Sequence, residues 1–435
     1  MSRAAAALAL LAAVATAAAG AETLVLRGAR ILPVAGPPIE RGVLVATDGR
    51  IVAIGAEGTV EIPAGSVVRD LAGKVVIPGL VDAHSHIADV AGGDGSGALH
   101  PEVRAIDAVD IRAASVQKAR AGGITTVNVM PGSGHLMSGQ TAYLKLRASG
   151  DRVEDWLVCA DDEGRICGGL KMANGTNSQR SGPFPKTRGR SAAMVRALFV
   201  KAQEYRDKVG AAAGDTSKLP PRDLGLEALV EVLEGRRIVH HHTHRADDIV
   251  TVLRLSQELG FPVVLHHVSE GYLVADEIAA AGVGCAINVM DAPGGKLENA
   301  ARRIDVVATL DRAGVPVAVQ TDDSVTDSRF LLRSAALAVR GGLSEEKALA
   351  AVTLSAARML GLERRVGSLE PGKDADFVVL SGPPFSAWSH VEETWVEGRR
   401  VFDRGGASRA YQVGGPELYP VDGAGGDGCL EGTAH

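Results

Sequence analysis

The stretch Val76-Ile77-Pro78-Gly79-Leu80-Val81-Asp82-Ala83-His84-Ser85-His86 decides how the rest of the chain is interpreted. It is an apolar run that ends in two histidines one residue apart. Alternate side chains of a strand share a face, so His84 and His86 point the same way and could bind one metal ion. The alternative is a histidine pair that is exposed or hydrogen-bonded in a core. The residues downstream decide between the two interpretations.

Length and composition exclude several classes of protein. The chain has 435 residues, of which 46% are hydrophobic and 23% charged, with a net charge of −6. These values are typical of a soluble globular protein and not of a disordered or nucleic-acid-binding one, so no nucleic-acid partner is expected. The length suits one large domain with a smaller one beside it.

Strand-like and helix-like segments alternate through the middle of the chain. Six predicted strands follow the opening stretch: 124–130, 169–172, 237–242, 262–267, 283–289 and 315–322. Predicted helices separate them at 103–121, 191–209, 224–234, 246–259, 272–281, 298–313 and 328–340. Repeated βα units over this length favour an α/β fold of the (β/α)₈ TIM barrel type, for which about 250 residues is typical. A doubly wound open sheet is the alternative, but no glycine-rich dinucleotide turn supports it.

The two ends of the chain read differently from its middle. Short strands broken by Gly and Pro over 22–77 and again over 363–404 predict a small β-sandwich built from both ends, around a barrel at 78–362. The segment 405–435, rich in Gly and polar residues, is expected to be a flexible tail. Later strands are predicted at 366–369, 374–380 and 392–403.

Residues 1–21 have the pattern of a signal peptide. Arg3 precedes an Ala/Leu/Val run, and Ala19-Gly20-Ala21 supplies small residues for cleavage, which puts the mature start near Glu22. A membrane anchor is the alternative, but the run is shorter than the ~20 residues that a spanning helix needs. We therefore expect an exported protein, periplasmic or secreted, with no stable membrane insertion. A disulfide between Cys159 and Cys167 is left open.

Metal-ligand residue types stand at the ends of the predicted strands, where a barrel places its chemistry. They are His84, His86, Lys171, His242, His267 and Asp322. This repetition favours the metal interpretation of the opening motif. Because neighbouring side chains alternate, His241 and His266 are expected to face the helix layer or solvent, and His240 the deeper core. His244 is expected to contact the outer part of the site or the substrate.

The chain resembles the metal-dependent amidohydrolase superfamily, in particular its imidazolonepropionase-like and secreted Xaa-dipeptidase-like members. The matching motifs lie at 78–86 (PGLVDAHSH), 122–127 (GGITTV), 242–249 (HTHRADDI), 320–323 (QTDD) and 367–376 (GSLEPGKDAD). The resemblance covers roughly 23–403 and implies the barrel and β-sandwich organisation already described.

The resemblance also implies a ligand set for a divalent metal, expected to be zinc. His84, His86 and Asp322 would bind a first ion, and His242 and His267 a second, with Lys171 bridging the two as a carbamate. A plain ammonium has no lone pair, so Lys171 can bind a metal only after carboxylation. If Lys171 instead forms a salt bridge, a one-metal site remains.

The expected activity is that of an exported enzyme that hydrolyses a C–N bond of an amide, dipeptide or cyclic amide. A divalent metal lowers the pKa of water from roughly 15.7 towards ~7, and Asp322 would act as general base and then general acid. Asp323 is the alternative to Asp322. A one-metal deaminase or imidazolone-type ring hydrolase is the second candidate function, and a non-catalytic exported metal- or ligand-binding protein is the third.

The substrate is expected to be a small molecule, and whether it carries a carboxylate is left open. Between residues 164 and 203 there are eight Lys or Arg residues and no Asp or Glu. Arg188 and Arg190 in this region could clamp a carboxylate, although a solvated basic loop is the alternative. Gln140 and Arg245 are further candidates for substrate contacts. Assembly into a homo-oligomer is left open.

Overall fold

A computed structural model describes residues 22–90, 92–159, 166–289 and 296–406, and the leader and the tail beyond 406 lie outside the described residues. The strands are β1 Thr23–Ile31, β2 Ile39–Thr47, β3 Arg50–Ala56, β4 Val67–Asp70, β5 Val75–Pro78, β6 Leu80–Ser85, β7 Ile124–Val129, β8 Met137–Gln140, β9 Ala142–Lys145, β10 Leu170–Ala173, β11 Val239–Thr243, β12 Val263–His267, β13 Gly284–Ile287, β14 Val317–Val319, β15 Phe377–Leu380, β16 Val391–Val396 and β17 Arg399–Asp403. The α-helices are α1 Ala114–Ala121, α2 Arg188–Ala211, α3 Leu224–Leu233, α4 Ala246–Leu259, α5 Ala275–Ala281, α6 Val306–Arg312, α7 Leu331–Arg340, α8 Glu345–Ala351 and α9 Leu354–Met359.

A barrel of mostly parallel strands forms the centre of the molecule. Strands β10 to β14 pair in parallel in chain order, and β6 pairs in parallel with β7. A parallel bridge between Ser85 and Asp323 joins β6 to the chain beyond β14, which brings the first and last barrel strands together. These strands are almost continuously buried, as expected when helices cover one face and a packed interior the other.

The third position of the barrel departs from the predicted (β/α)₈ pattern. Strands β8 and β9 together run antiparallel to β7 on one side and to β10 on the other. The sequence analysis placed no strand between 130 and 169. The barrel is therefore of mixed direction, and in the described residues only a 3₁₀ turn, Val153–Trp156, stands between β9 and β10.

A second, eight-stranded sheet combines strands from both ends of the chain. Its order is β17-β16-β15-β5-β1-β2-β3, with β4 paired to β1. The link between the ends is β5, which pairs with β1 in parallel and with β15 antiparallel. Since hydrogen bonds join these strands into one sheet, the two-layered β-sandwich stays a prediction, as do the domain boundaries.

Gly79 is the point where the chain leaves this sheet and enters the barrel. A Cβ at Gly79 would lie 2.2 Å from Thr125 Oγ1, so no larger residue fits between β5 and β6. The Pro78-Gly79 break in the opening motif therefore separates two strands, where the sequence predicted one.

Several predicted element bounds are wrong. The helix predicted over 103–121 is an α-helix only from Ala114, and the one predicted over 298–313 only from Val306. Residues 366–369 form no strand, and α8 and α9 were not predicted. No helix among the described residues is both long enough and apolar enough to span a membrane.

Candidate metal centre

Three donor atoms from two chain segments meet at one end of the barrel. His84 Nε2 lies 3.3 Å from His86 Nε2, and Asp322 Oδ1 lies 3.3 Å from the first and 3.1 Å from the second. Two donors that each bind zinc at about 2.0–2.1 Å with a tetrahedral angle are about 3.3 Å apart. The three atoms therefore have the mutual spacing that a single zinc ion requires.

The backbone at Asp322 is turned to bring its carboxylate to the two histidines. Asp322 has φ 53°, in the left-handed region, and its N–H donates to the carbonyl of His84 at 3.0 Å. A non-glycine residue held there costs about 1–2 kcal/mol, which the surrounding hydrogen bonds must offset. Its neighbour Asp323 points elsewhere, since its carboxylate accepts the N–H and the hydroxyl of Ser328.

Asp82 stabilises this turn through hydrogen bonds to Thr321, the residue before Asp322. It is fully buried, and its carboxylate accepts hydrogen bonds from the Thr321 hydroxyl at 2.5 Å and the Thr321 N–H at 3.2 Å. Burial raises the pKa of Asp82 to about 7, against the lowering effect of these hydrogen bonds. Asp82 thus ties the end of β6 to the chain just before Asp322.

Lys171 projects from β10 into the same site. Its Nζ lies 2.9 Å from His84 Nε2 and 3.2 Å from Met130 Sδ, and the side chain is fully buried. Burial, followed by the charge of Lys171, lowers the pKa of His84 well below its usual value. Neutral imidazole is the form that binds metals, so this shift favours ligation.

His242 and His267 lie beside this group. Their ring centroids are 4.4 Å apart, and His267 Nδ1 lies 3.8 Å from Asp322 Oδ2. Within the described part of the chain, His267 Nε2 and both ring nitrogens of His242 have no hydrogen-bond partner. A buried polar group without a partner costs about 1–3 kcal/mol, so these nitrogens also suit a bound ion. All six predicted ligands are therefore brought together.

A further group of potential ligands extends outward from His242. His242, His244 and Glu298 offer donor atoms within 4.8 Å of one another, and all three residues are buried. His244 Nδ1 lies 2.8 Å from Ser269 Oγ. The His244 ring stacks on the ring of His267, with the two ring centroids 5.0 Å apart. Glu298 was missed by the sequence analysis, because it falls in a segment that was predicted to be a helix.

Of the other predicted substrate contacts, Arg188 reaches only the edge of this group, where its Nη2 lies 3.7 Å from Glu298 Oε2, and the rest lie away from it. Arg188 Nε binds both oxygens of Asp248 at 2.9 Å, and Arg190 is exposed on α2. Arg245 is exposed and pairs with Asp247 at 3.0 Å. Gln140 stands next to Gly139, the residue that pairs with Lys171, so its side chain points to the opposite face and contacts the Pro101 carbonyl and Arg237.

Two other cations approach the site instead. Lys296 Nζ donates to Asn177 Oδ1, and its charge contributes, after burial, to the lowered pKa values of His242, His244 and His267. Burial lowers the pKa of Arg302 to about 10, and the charge of Asp322 opposes this change. Among the described residues, Arg302 Nη1 has no hydrogen-bond partner.

The prediction for His266 is wrong, and the reason is the backbone at His267. His267 has φ 74°, so the alternation of side chains fails at the end of β12 and both histidines point into the barrel. His266 Nδ1 lies 3.1 Å from His84 Nδ1, and its Nε2 lies 3.0 Å from His240 Nδ1. His241, as predicted, faces the helix layer, where it lines a cavity with Arg188 and Asp248.

Comparisons with known proteins identify the family of the chain. A sequence model of the amidohydrolase family matches residues 75–401. The imidazolonepropionase of Symbiobacterium thermophilum is 28% identical over 429 residues, which cover 85% of this chain and 92% of that protein. Amidohydrolase tasK of Hapsidospora irregularis is 25% identical over 398 residues. The match covers 84% of this chain but only 39% of the length of tasK.

A solved structure shows the same likeness over nearly the whole fold. The crystal structure of an amidohydrolase from Thermotoga maritima MSB8 is 32% identical, with a TM-score of 0.80 over 88% of this chain and 100% of that one. The predicted resemblance is thereby confirmed: the chain belongs to the amidohydrolase family and is a hydrolase of carbon–nitrogen bonds.

Proposed function

We propose that the protein is a zinc-dependent hydrolase that cleaves an amide, dipeptide or cyclic amide bond in a small molecule. The observation that carries this proposal is the mutual spacing of 3.1–3.3 Å between His84 Nε2, His86 Nε2 and Asp322 Oδ1. Lys171, His242 and His267 lie around these atoms, and with Lys171 carboxylated to a carbamate they would hold a second ion. A bound metal would polarise the scissile carbonyl and acidify water.

Asp322 performs the proton transfers in this proposal. It is the carboxylate at the centre of the group, and its second oxygen lies 3.8 Å from His267 Nδ1. Asp322 takes a proton from the attacking water and delivers it to the departing nitrogen. Gln320 Nε2 donates to His267 Nδ1 at 3.3 Å and so orients the ring that faces Asp322.

Lys296 and Arg302 support a substrate that carries a carboxylate. They take the role of carboxylate clamp that the sequence analysis gave to Arg188, because the charge of Arg188 is already neutralised by Asp248. Replacing Lys296 with Met is expected to raise the KM for N-acyl amino acids at least tenfold while leaving neutral amides of the same acyl group unaffected. If the KM changes equally for acidic and neutral substrates, the proposal that the substrate carries a carboxylate is refuted.

The first experiment is metal content per chain, measured by elemental analysis of protein purified without chelators and with bicarbonate present. Two equivalents are expected, together with turnover of N-acyl amino acids or dipeptides. Asp322→Asn should keep the fold but lower kcat by at least 10³-fold, as expected for loss of a general base. A protein that binds no metal after reconstitution, or an Asp322→Asn variant with unchanged kcat, would refute the proposal.

A second candidate function is a one-metal ring hydrolase or deaminase. It is favoured by the imidazolonepropionase relative, which this chain matches over 92% of that protein's length. One equivalent of metal, with ammonia release or ring opening and no cleavage of acyclic amides, would select it.

We also propose that the protein is exported, with residues 1–21 removed. The Cys159–Cys167 disulfide, with a Cα–Cα distance of 4.5 Å, supports an oxidising compartment. The N-terminal residue and the free thiol content of protein recovered from the producing cell's periplasm or medium test this: a start at Glu22 and an oxidised pair are expected, and an intact N-terminus with both thiols free would overturn it.

A further inference from the structure

A second pair of histidines one residue apart stands at the end of a barrel strand. His242 and His244 share one face of the chain at the end of β11, as His84 and His86 do at the end of β6. The ring centroids of His242 and His244 are 4.6 Å apart and the ring planes are at 86°. For His84 and His86 these values are 5.0 Å and 80°. The two pairs therefore have nearly the same ring arrangement.

Each pair also has a carboxylate from another part of the chain beside it. For the pair on β6 this is Asp322. For the pair on β11 it is Glu298, and the donor atoms of His242, His244 and Glu298 lie within 4.8 Å of one another. We call these three residues the outer group. It repeats the composition of the first metal centre.

Glu298 is held with one oxygen occupied and the other left over. Its Oε2 accepts the N–H of Thr176 at 3.0 Å and lies 3.7 Å from Arg188 Nη2. Gly175 permits this approach, since it has φ 74° and a Cβ there would lie 2.7 Å from the same oxygen. Glu298 is 6% exposed, and within the described part of the chain its Oε1 has no hydrogen-bond partner. A buried acceptor without a partner costs about 1–3 kcal/mol, so Oε1 indicates a bound ligand.

The two histidines of the outer group also have ring nitrogens left for a ligand. His244 Nδ1 lies 2.8 Å from Ser269 Oγ, and the Ser269 hydroxyl donates to Asn299 Oδ1 at 3.5 Å. A hydroxyl has one proton, so Ser269 accepts from His244 Nδ1–H and leaves Nε2 for a metal. Such an acceptor behind the ring is common for metal-bound histidines. Both ring nitrogens of His242 have no hydrogen-bond partner among the described residues.

We propose that the outer group is a zinc site and that it holds the second ion while Lys171 remains an ammonium, which has no lone pair for a metal. This inference rests on the function proposed above, since it assigns a place to the second of its ions. Two histidines and a glutamate are a ligand set of catalytic zinc, with a fourth position open to water or a substrate oxygen. Donors around one zinc ion are about 3.3 Å apart, so pairs at most 4.8 Å apart need to approach by no more than about 1.5 Å.

Two cations near the outer group oppose a bound ion. The charge of Lys296 acts on both histidines of the group, and that of Arg302 acts on His244. The Glu298 carboxylate offsets this repulsion, and Lys296 Nζ is itself bound to Asn177 Oδ1. Lys296→Met should therefore tighten the binding of the second zinc ion. Equal or weaker binding would count against an ion at this place.

The direct test is X-ray diffraction at the zinc absorption edge, from zinc-soaked crystals of the full chain prepared without bicarbonate. Two anomalous peaks are expected, one at His84, His86 and Asp322 and one within the outer group. A single peak at the first place, or a second peak between Lys171 and His267, would overturn the inference and leave the proposed function intact. Protein that binds no zinc would refute the proposed function as well, which separates the two failures.

Zinc affinity in solution, measured by competition with a chromogenic chelator, is the second readout. Glu298→Gln keeps an acceptor for the Thr176 N–H but removes the carboxylate. It should weaken the second equivalent by more than the about 10–100-fold that loss of an outer partner causes, and leave the first unchanged. The matched control is Glu270→Gln, because Glu270 also accepts one backbone N–H, from Ala246 at 2.9 Å, but lies outside the group. It should bind both equivalents normally.

Lys171→Met separates the outer site from a carbamate site. The second equivalent should remain in Lys171→Met, because the outer group does not use Lys171. Its loss there, with normal binding in Glu298→Gln, would overturn the inference. His244→Asn keeps an N–H for Ser269 and removes Nε2, so it takes the place of Glu298→Gln if that variant does not fold. A His244→Asn variant that binds both equivalents normally would likewise overturn the inference.

Discussion

A buried lysine joins the barrel to the sheet formed by the chain ends, and replacing it provides the sharpest test of how these parts are held together. Lys145, at the end of β9, is fully buried, and its Nζ contacts Asp374, Asp376 at 3.0 Å and Glu397 at 3.3 Å. Lys145→Met keeps the length of the side chain but removes its charge. It leaves the buried carboxylates of Asp374 and Asp376 without their central cation.

Breaking a buried ion pair by removing one partner costs about 3–5 kcal/mol. With an unfolding entropy of about 2.1 cal/mol/K per residue, a chain of roughly 400 folded residues has about 0.8 kcal/mol/K, so the melting temperature should fall by about 4–6 °C. The remaining cations reduce this loss of stability, since Arg365 also lies 3.0 Å from Asp374. Differential scanning calorimetry measures the change.

The matched control is Lys347→Met on α8. Lys347 binds both oxygens of Asp311 at 2.8 Å, but its side chain is 57% exposed. Exposed pairs contribute about 0–1 kcal/mol, so its melting temperature should change by about 1 °C or less. Equal shifts in the two variants would refute the argument that burial makes the Lys145 network costly to break.

Three further predictions concern packing, pH and metal. Gly168→Ala should destabilise severely or prevent folding, because the added Cβ would lie 1.9 Å from the carbonyl oxygen of Thr141; expression and calorimetry of the variant measure this. Burial raises the pKa of Glu397, but Arg147 and Lys145 outweigh it and lower that pKa to about 2. The unfolded glutamate has a pKa of about 4.3, so this stabilisation is present above that pH and is lost as the pH falls towards 2. Urea unfolding of metal-free protein should show a flatter acid dependence in Glu397→Gln than in the unmodified chain. Chelation should lower the melting temperature by about 5 °C and zinc should restore it, since a ligand at 1,000 times its Kd stabilises by about 4 kcal/mol; a melting temperature insensitive to chelation would contradict a zinc site.

The sequence could predict that the candidate ligands lie together, because they stand near the ends of predicted strands. The barrel brings together six side chains from five parts of the chain, as expected for strand ends that meet at one face: His84, His86, Lys171, His242, His267 and Asp322. The same logic failed for His266, because strand alternation assumes an extended backbone and His267 is left-handed. No local feature of the sequence predicts the left-handed backbone at His267.

The antiparallel strand could not be predicted for a different reason. Met137–Gln140 has almost no intrinsic strand preference, and its strand conformation is imposed by pairing with β10. Because no strand was predicted there, the sequence could not show that pairing with β10 turns the side chain of Gln140 away from the site. Lys296 and Glu298 were missed because nothing in their local pattern shows which cavity a segment will border.

The pairing of β5 with β15 has a consequence for how the protein is made. Residues 75–78 find their partners only at 377–380, so the sheet of the chain ends cannot close until almost the whole barrel has been synthesised. Contacts so distant in sequence form slowly, because a long loop must be closed first. Until then β1 to β5 have a free edge that could pair with other chains. We therefore expect C-terminal truncations before residue 377 to aggregate rather than to yield a stable barrel.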